Sequence, residues 1–112
     1  MASGTPLVVE YYVSPQGRAP FIEWLESIRD LMTVQRIRQR IERIELGNLG
    51  DCTPVTGAPG LFEMRLFFGP GYRIYFTLLG SGPAVLLWGG DKRTQRRDIR
   101  KAKALLAAHR SE

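Results

Sequence analysis

The sequence predicts a single α+β domain over residues 1–112, with element order β-α-α-β-β-β-α. Three observations carry that expectation. An early β-branched and aromatic run precedes two segments whose apolar residues recur at helical spacing. Three strand-like runs separated by short glycine turns follow, the signature of an antiparallel meander. The chain then closes on a basic segment with Ile99, Ala102, Leu105 and Leu106 at helical spacing. The expected architecture is a small antiparallel sheet, an N-terminal helical hairpin on one face, and a basic C-terminal helix.

Each element has a local reason. Pro6–Val13 (PLVVEYYV) reads as the first strand, ended by Ser14-Pro15-Gln16-Gly17. Pro20 suits the first turn of a helix, where its missing N–H is no loss. That helix is expected to reach about Asp30, with Phe21, Trp24, Leu25 and Ile28 inward. A second helix, from about Thr33 to Leu46, turns Val34, Ile37, Ile41 and Ile44 inward. It leaves Arg36, Arg38, Arg40 and Arg43 outward or on its flanks. Gly47, Asn48 and Gly50 stop it, and Asn48–Gly60 reads as a loop.

In Leu61–Phe67, Phe62, Met64 and Leu66 share one face while Glu63 and Arg65 share the other. The turn Gly69-Pro70-Gly71 leads into Tyr72–Leu78. There Tyr72, Ile74, Phe76 and Leu78 oppose Arg73, Tyr75 and Thr77. After the turn Gly80-Ser81-Gly82-Pro83, Ala84–Trp88 is continuously apolar, as suits a strand covered on both sides. Gly89-Gly90 permit a sharp exit or a bulge. Thr94 is placed to cap a final helix to about Ala108, with Asp98 favourable near its N-terminus.

Composition narrows the function classes. A chain of 112 residues is large enough for one core without disulfide or metal staples. Cys52 is the single cysteine and reads as a bystander. The stretch MASGTPLVVEYY has no basic n-region and no long apolar run, and no later stretch approaches membrane-spanning length. A cytoplasmic protein without a membrane partner is therefore expected. No His/Cys set at metal spacing, no serine triad and no phosphate-cradling glycine motif stands out, so neither metal nor cofactor is expected. The charge is unevenly placed. Residues 1–90 hold eight Lys/Arg against eight Asp/Glu, whereas residues 91–112 hold eight against three. The whole excess of +5 thus lies in the last fifth of the chain, a pattern that attracts polyanions such as nucleic acid. A solvated helix face is the plainer alternative.

Sheet parity turns the strand pattern into a site. If Met64 and Ile74 are buried together, cross-strand partners must have residue numbers with an even sum. Arg65 and Arg73 then share the face opposite that core, where two guanidiniums need an anion between them. Glu63, on the same face, is one neutraliser; a phosphate is the other. The glycine exit delivers Lys92 to this face, with Arg93, Arg96 and Arg97 on the rim and Phe67 placed to stack on a base. RNA cleavage demands little more, because the substrate's own 2′-hydroxyl is the nucleophile. Fixed Arg and Lys donors stabilise the charge that builds on phosphoryl oxygens. Proton transfer needs a further group. Glu63, Tyr75 and Asp91 are the candidates, whereas His109 reads as a surface residue in the basic tail.

Two runs also carry a family resemblance. Leu61-Phe62-Glu63-Met64-Arg65 followed by Gly69-Pro70-Gly71-Tyr72-Arg73-Ile74-Tyr75-Phe76 resembles the RelE/ParE toxin superfamily. The closing run Gly89-Gly90-Asp91-Lys92-Arg93-Thr94-Gln95, with Asp98-Ile99 and Ala102-Lys103, is similar to its addiction-module killer proteins of the HigB-like, phage-related branch. The resemblance implies the toxin of a type II toxin–antitoxin pair, many relatives being endoribonucleases that cut mRNA, often on the ribosome. It also implies an antitoxin partner, expected to be a small helix-turn-helix DNA-binding protein. By position, Arg65 resembles the basic residue of the second strand, Arg73 the arginine that contacts the scissile phosphate, and Lys92 the basic residue at the last strand's end. The chain departs from the family where some members carry a C-terminal tyrosine or histidine. Here that segment offers Asp98, with His109 further on. Since ParE-like relatives poison DNA gyrase, a gyrase-directed toxin is the alternative, and a non-catalytic nucleic-acid-binding module is a third.

Overall fold

The computed structural model describes residues 6–78, 80 and 82–112. Residues 1–5, where the stretch read for a targeting segment begins, and Ser81 of the expected turn lie outside the described residues. The elements are β1 (Val9–Tyr11), α1 (Pro20–Ser27), α2 (Leu31–Glu45), β2 (Cys52–Pro54), β3 (Leu61–Leu66), β4 (Tyr72–Leu78), β5 (Ala84–Asp91) and α3 (Gln95–Arg110). The expected order holds, with β2 added. All five strands form one sheet in the order β1-β5-β4-β3-β2. Strands β2 to β5 pair antiparallel, whereas β1 lies parallel to β5 at the far edge.

Strand β2 falls in the stretch expected to be a loop. Its three residues pair Cys52 with Met64, Thr53 with Glu63 and Pro54 with Phe62. Glycines and prolines around it conceal so short a strand, and Pro54 is tolerated because this is a sheet edge. Helix boundaries shift for a similar reason. Asp30, expected near the end of α1, instead starts α2, its carboxylate accepting from the Met32 amide at 3.3 Å and the Thr33 hydroxyl at 2.8 Å.

The sheet is covered on both faces. Against α1 and α2 it buries Phe21, Leu25, Ile37, Met64, Ile74 and Phe76. Against α3 it buries Leu61, Tyr75, Val85, Leu87, Ala102 and Leu106. The face expected to lie opposite the core therefore carries a second core, because apolar Leu61, Tyr75 and Leu87 share it with Glu63 and Arg65. On β3 and β4 the charged residues of that face, Glu63, Arg65 and Arg73, lie towards the end nearest the N-terminus of α3.

One irregularity sets that end. Tyr75 pairs with Trp88 but Phe76 pairs with Leu86, so Leu87 is an extra residue on β5. The bulge precedes the glycines that were expected to supply it. Leu87 and Trp88 consequently both serve the α3 side. Past the bulge, Gly89 packs under the Trp24 ring and Gly90 faces the Asp98 carboxylate, each leaving no room for a Cβ. No helix among the described residues is long and apolar enough to cross a membrane.

Candidate nucleic-acid interface

Strand β3 pairs with β4 in the expected parity. Arg65 and Arg73 are direct cross-strand partners, next to the pairs Met64–Ile74 and Glu63–Tyr75. Their sheet neighbours neutralise them only in part. Arg65 is half-buried and its Nη2 reaches Asp51 Oδ1 at 3.1 Å. Arg73 is 8% exposed; its Nη1 donates to the Gly71 carbonyl at 3.3 Å. Arg73 Nε stands 3.8 Å from Glu63 Oε2, an ion pair too long for a hydrogen bond. The Nε atoms of both arginines are buried and have no hydrogen-bond partner among the described residues. Such groups are costly unless a ligand satisfies them.

Glu63 is the hub of the buried side. It is 7% exposed, accepts from the Tyr75 hydroxyl at 2.9 Å, and accepts from Gln95 Nε2 at 2.7 Å. Tyr75 is fully buried, and desolvation together with the nearby Glu63 carboxylate pushes its phenol far above its ordinary value. A phenol so placed remains protonated at neutral pH and has no path to a substrate. Of the expected proton handlers, Tyr75 and Glu63 are thus occupied with each other. Asp91 is committed as well. It caps the single 3₁₀ turn Lys92–Thr94, accepting from the Arg93 amide at 2.8 Å, and pairs with the Arg93 guanidinium at 3.1 Å. The Arg93 hydrogen bond holds the Asp91 carboxyl below its usual range, against the opposing pull of desolvation.

Thr94, expected to cap α3, makes no side-chain cap bond. Its hydroxyl instead bonds the Asp98 carboxylate, which also accepts from Trp88 Nε1 at 2.9 Å. Asp98 is 1% exposed and braces the start of α3 against β5. That brace delivers Gln95 to Glu63 and sets Arg96 and Arg97 outward on the first turn.

Lys92 does converge on the site. A methyl carbon placed on Gly71 would lie 3.5 Å from Lys92 Cβ and 3.6 Å from Arg73 Nη1, so both flank the same glycine. Gly71 has φ +80°, a conformation that suits glycine and lets the turn bring its carbonyl to Arg73. Lys92 is exposed, with no carboxylate within 4.0 Å among the described residues. Phe67 is 77% exposed beside Arg65, whose guanidinium carbon is 5.9 Å from its ring centre. His109 does not belong to this cluster. It lies near the other end of α3, about 20 Å along the helix from Gln95, with its ring 6.1 Å from that of Tyr12.

The arrangement offers a cationic floor of two arginines, a lysine at the mouth, an aromatic on one side and a basic rim. Sequence reasoning missed Asp51 and Gln95. Asp51 becomes visible only once β2 pairs with β3, and Gln95 carries no chemical signal of its own. No family model matches the chain. A Haemophilus influenzae protein described as "Uncharacterized protein" is 41% identical over 85 residues, spanning 76% of this chain and 84% of that one.

Proposed function

We propose that this chain, which belongs to the same family as that Haemophilus influenzae protein, is the toxin of a type II toxin–antitoxin pair and cleaves mRNA without a metal. The observation that carries the reading is the cross-strand pair of half-buried Arg65 and buried Arg73, whose Nε atoms have no hydrogen-bond partner among the described residues, on a face that exposed Lys92 also borders. A phosphodiester is the neutraliser that fits two guanidiniums and an ammonium at once. The resemblance of Leu61–Phe76 and Gly89–Lys103 to RelE/ParE killer proteins supports the same assignment.

In this mechanism the 2′-hydroxyl attacks the adjacent phosphorus and the bond to the 5′-oxygen breaks. The products are a 2′,3′-cyclic phosphate and a 5′-hydroxyl end. Arg73 and Lys92 hold the charge that grows on the phosphoryl oxygens, and Arg65 binds the strand beside them. Glu63 keeps Arg73 in position rather than moving a proton. With Glu63, Tyr75 and Asp91 committed, the attacking hydroxyl loses its proton to solvent and the leaving oxygen gains one from solvent. Arg93, Arg96, Arg97 and Phe67 steer and stack the strand. The partner is an antitoxin, a helix-turn-helix DNA-binding protein that covers this face, and the cut mRNA is engaged free or on the ribosome.

Induced expression tests the class. Growth should arrest and transcripts should be cut, and Arg73→Ala should relieve both. Arrest with intact transcripts but loss of DNA supercoiling overturns RNA cleavage in favour of gyrase. Normal growth together with salt-sensitive RNA binding by the purified chain overturns it in favour of a binding module.

A further inference from the structure

A second cationic groove lies beyond Arg65, between α2 and the end of β3. Its volume is about 500 Å³, and its lining includes Arg36, Arg40, Arg43, Arg65, Phe67 and Phe68. Arg36, Arg40 and Arg43 are four and three residues apart on α2, so they project from one side of the helix. Asp51 is the sole carboxylate in the lining, and it is held by Arg65. None of the three α2 arginines has a carboxylate within 4.0 Å among the described residues.

Arg40 is the built part of this groove. Among the described residues its Nη1 is buried without a hydrogen-bond partner, and its Nη2 makes only a long bond to the Leu49 carbonyl at 3.4 Å. A Cβ on Gly50, at φ +63°, would strike the guanidinium, so the loop is shaped to admit it. Burial, and then the neighbouring Arg43, pull Arg40 below its ordinary pKa against the opposing charge of Asp51. Arg36 is fixed over the Phe68 ring at 4.0 Å, and exposed Phe67 stands at the mouth beside Arg65.

We infer that this groove binds a second phosphate of a single RNA strand, with the adjoining base stacked on Phe67. Arg65 lines both sites, so one strand runs from the Arg73–Lys92 floor across Arg65 into the groove. Cationic lining with an aromatic platform is the pairing that single-stranded nucleic acids select. The inference rests on the RNA reading for its ligand but not on cleavage.

The test uses fully 2′-O-methylated RNA, which cannot be cut, in a trimer and a 12-mer, with binding followed by fluorescence anisotropy. Arg40→Gln and Arg43→Gln should each weaken 12-mer binding about tenfold and lower the slope of log affinity against log salt by about 0.7. Phe67→Ala should weaken it at least about fivefold. Trimer binding should respond to Arg73→Ala but not to Arg40→Gln or Arg43→Gln. Thermal melts of Arg43→Gln and Phe67→Ala, both at exposed positions, should match the parent. Unchanged 12-mer affinity and salt slope in both of these variants overturns the inference. So does tighter binding of a polyglutamate peptide than of the 12-mer, which assigns the groove to an acidic protein, or saturation of the groove by inorganic phosphate with no dependence on RNA length. Failure of the cleavage reading looks different: the 12-mer data persist while unmodified RNA stays whole.

Discussion

At the residue scale, Glu63 joins the fold to the site. It sits under Arg73, and Tyr75 and Gln95 hold it there from two different elements. Removing the Tyr75 hydroxyl leaves the carboxylate in place but less firmly fixed. Tyr75→Phe should lower stability by about 1.5–3 kcal/mol in urea denaturation, the range for a lost bond to a charged group. RNA cleavage should fall because Arg73 is less well placed, while the pH–rate profile keeps its shape up to about pH 10. The sign follows from the raised phenol value: the group is protonated below that range in the folded chain, so it supplies no titration there. Its stabilising effect is present below the unfolded value and fades as pH rises towards the folded one. A lost alkaline limb in the variant would instead make Tyr75 the general acid. Alternation alone put Arg65 and Arg73 on one face. It could not show that Tyr75 and Glu63 are bonded, because whether a polar residue on that face is free or buried depends on where α3 lands.

At the element scale, α3 is placed by a bulge, two glycines and one aspartate. The extra residue Leu87 puts Trp88 opposite Tyr75, and Gly90 then lies opposite Arg73. The absent side chain of Gly90 is where the Asp98 carboxylate packs. Gly90→Ala should therefore cost about 1–3 kcal/mol through overpacking and loosen the first turn of α3, weakening RNA binding through Gln95, Arg96 and Arg97. Adding Asp98→Ala should relieve the clash, so the double variant should lose less stability than the sum of the two single variants in thermal or urea unfolding. Additive losses would mean that Gly90 and Asp98 do not meet. The glycine pair was legible as a device for leaving the strand, but the bulge before it was not. Ala84–Trp88 is apolar at every position, so no alternation marks the residue where pairing slips. Strand β2 was hidden for the opposite reason, three residues among turn formers being too few to show a period.

At the scale of the whole molecule, one sheet separates two cores and presents its cations at a single end. The element order and the parity of the β3–β4 pairing were readable, because hydrophobic faces permit only one parity. The parallel β1–β5 pair and the second core depend on contacts between distant parts of the chain, such as Val9 with Ala84, which local pattern does not encode. Charge counting placed the surplus in the last 22 residues, yet the groove arginines on α2 fall in the balanced part. Position in the fold, not net charge, makes them a site. On the proposed function, Arg65, Arg73 and Lys92 form a metal-independent phosphodiester-cleaving centre. The most direct measurement is end analysis of RNA incubated with purified chain in EDTA, with and without ribosomes. New 5′-hydroxyl and 2′,3′-cyclic phosphate ends, reduced at least a hundredfold by Arg73→Ala, are the predicted result. Intact RNA under both conditions, or equal cleavage by Arg73→Ala, would contradict it.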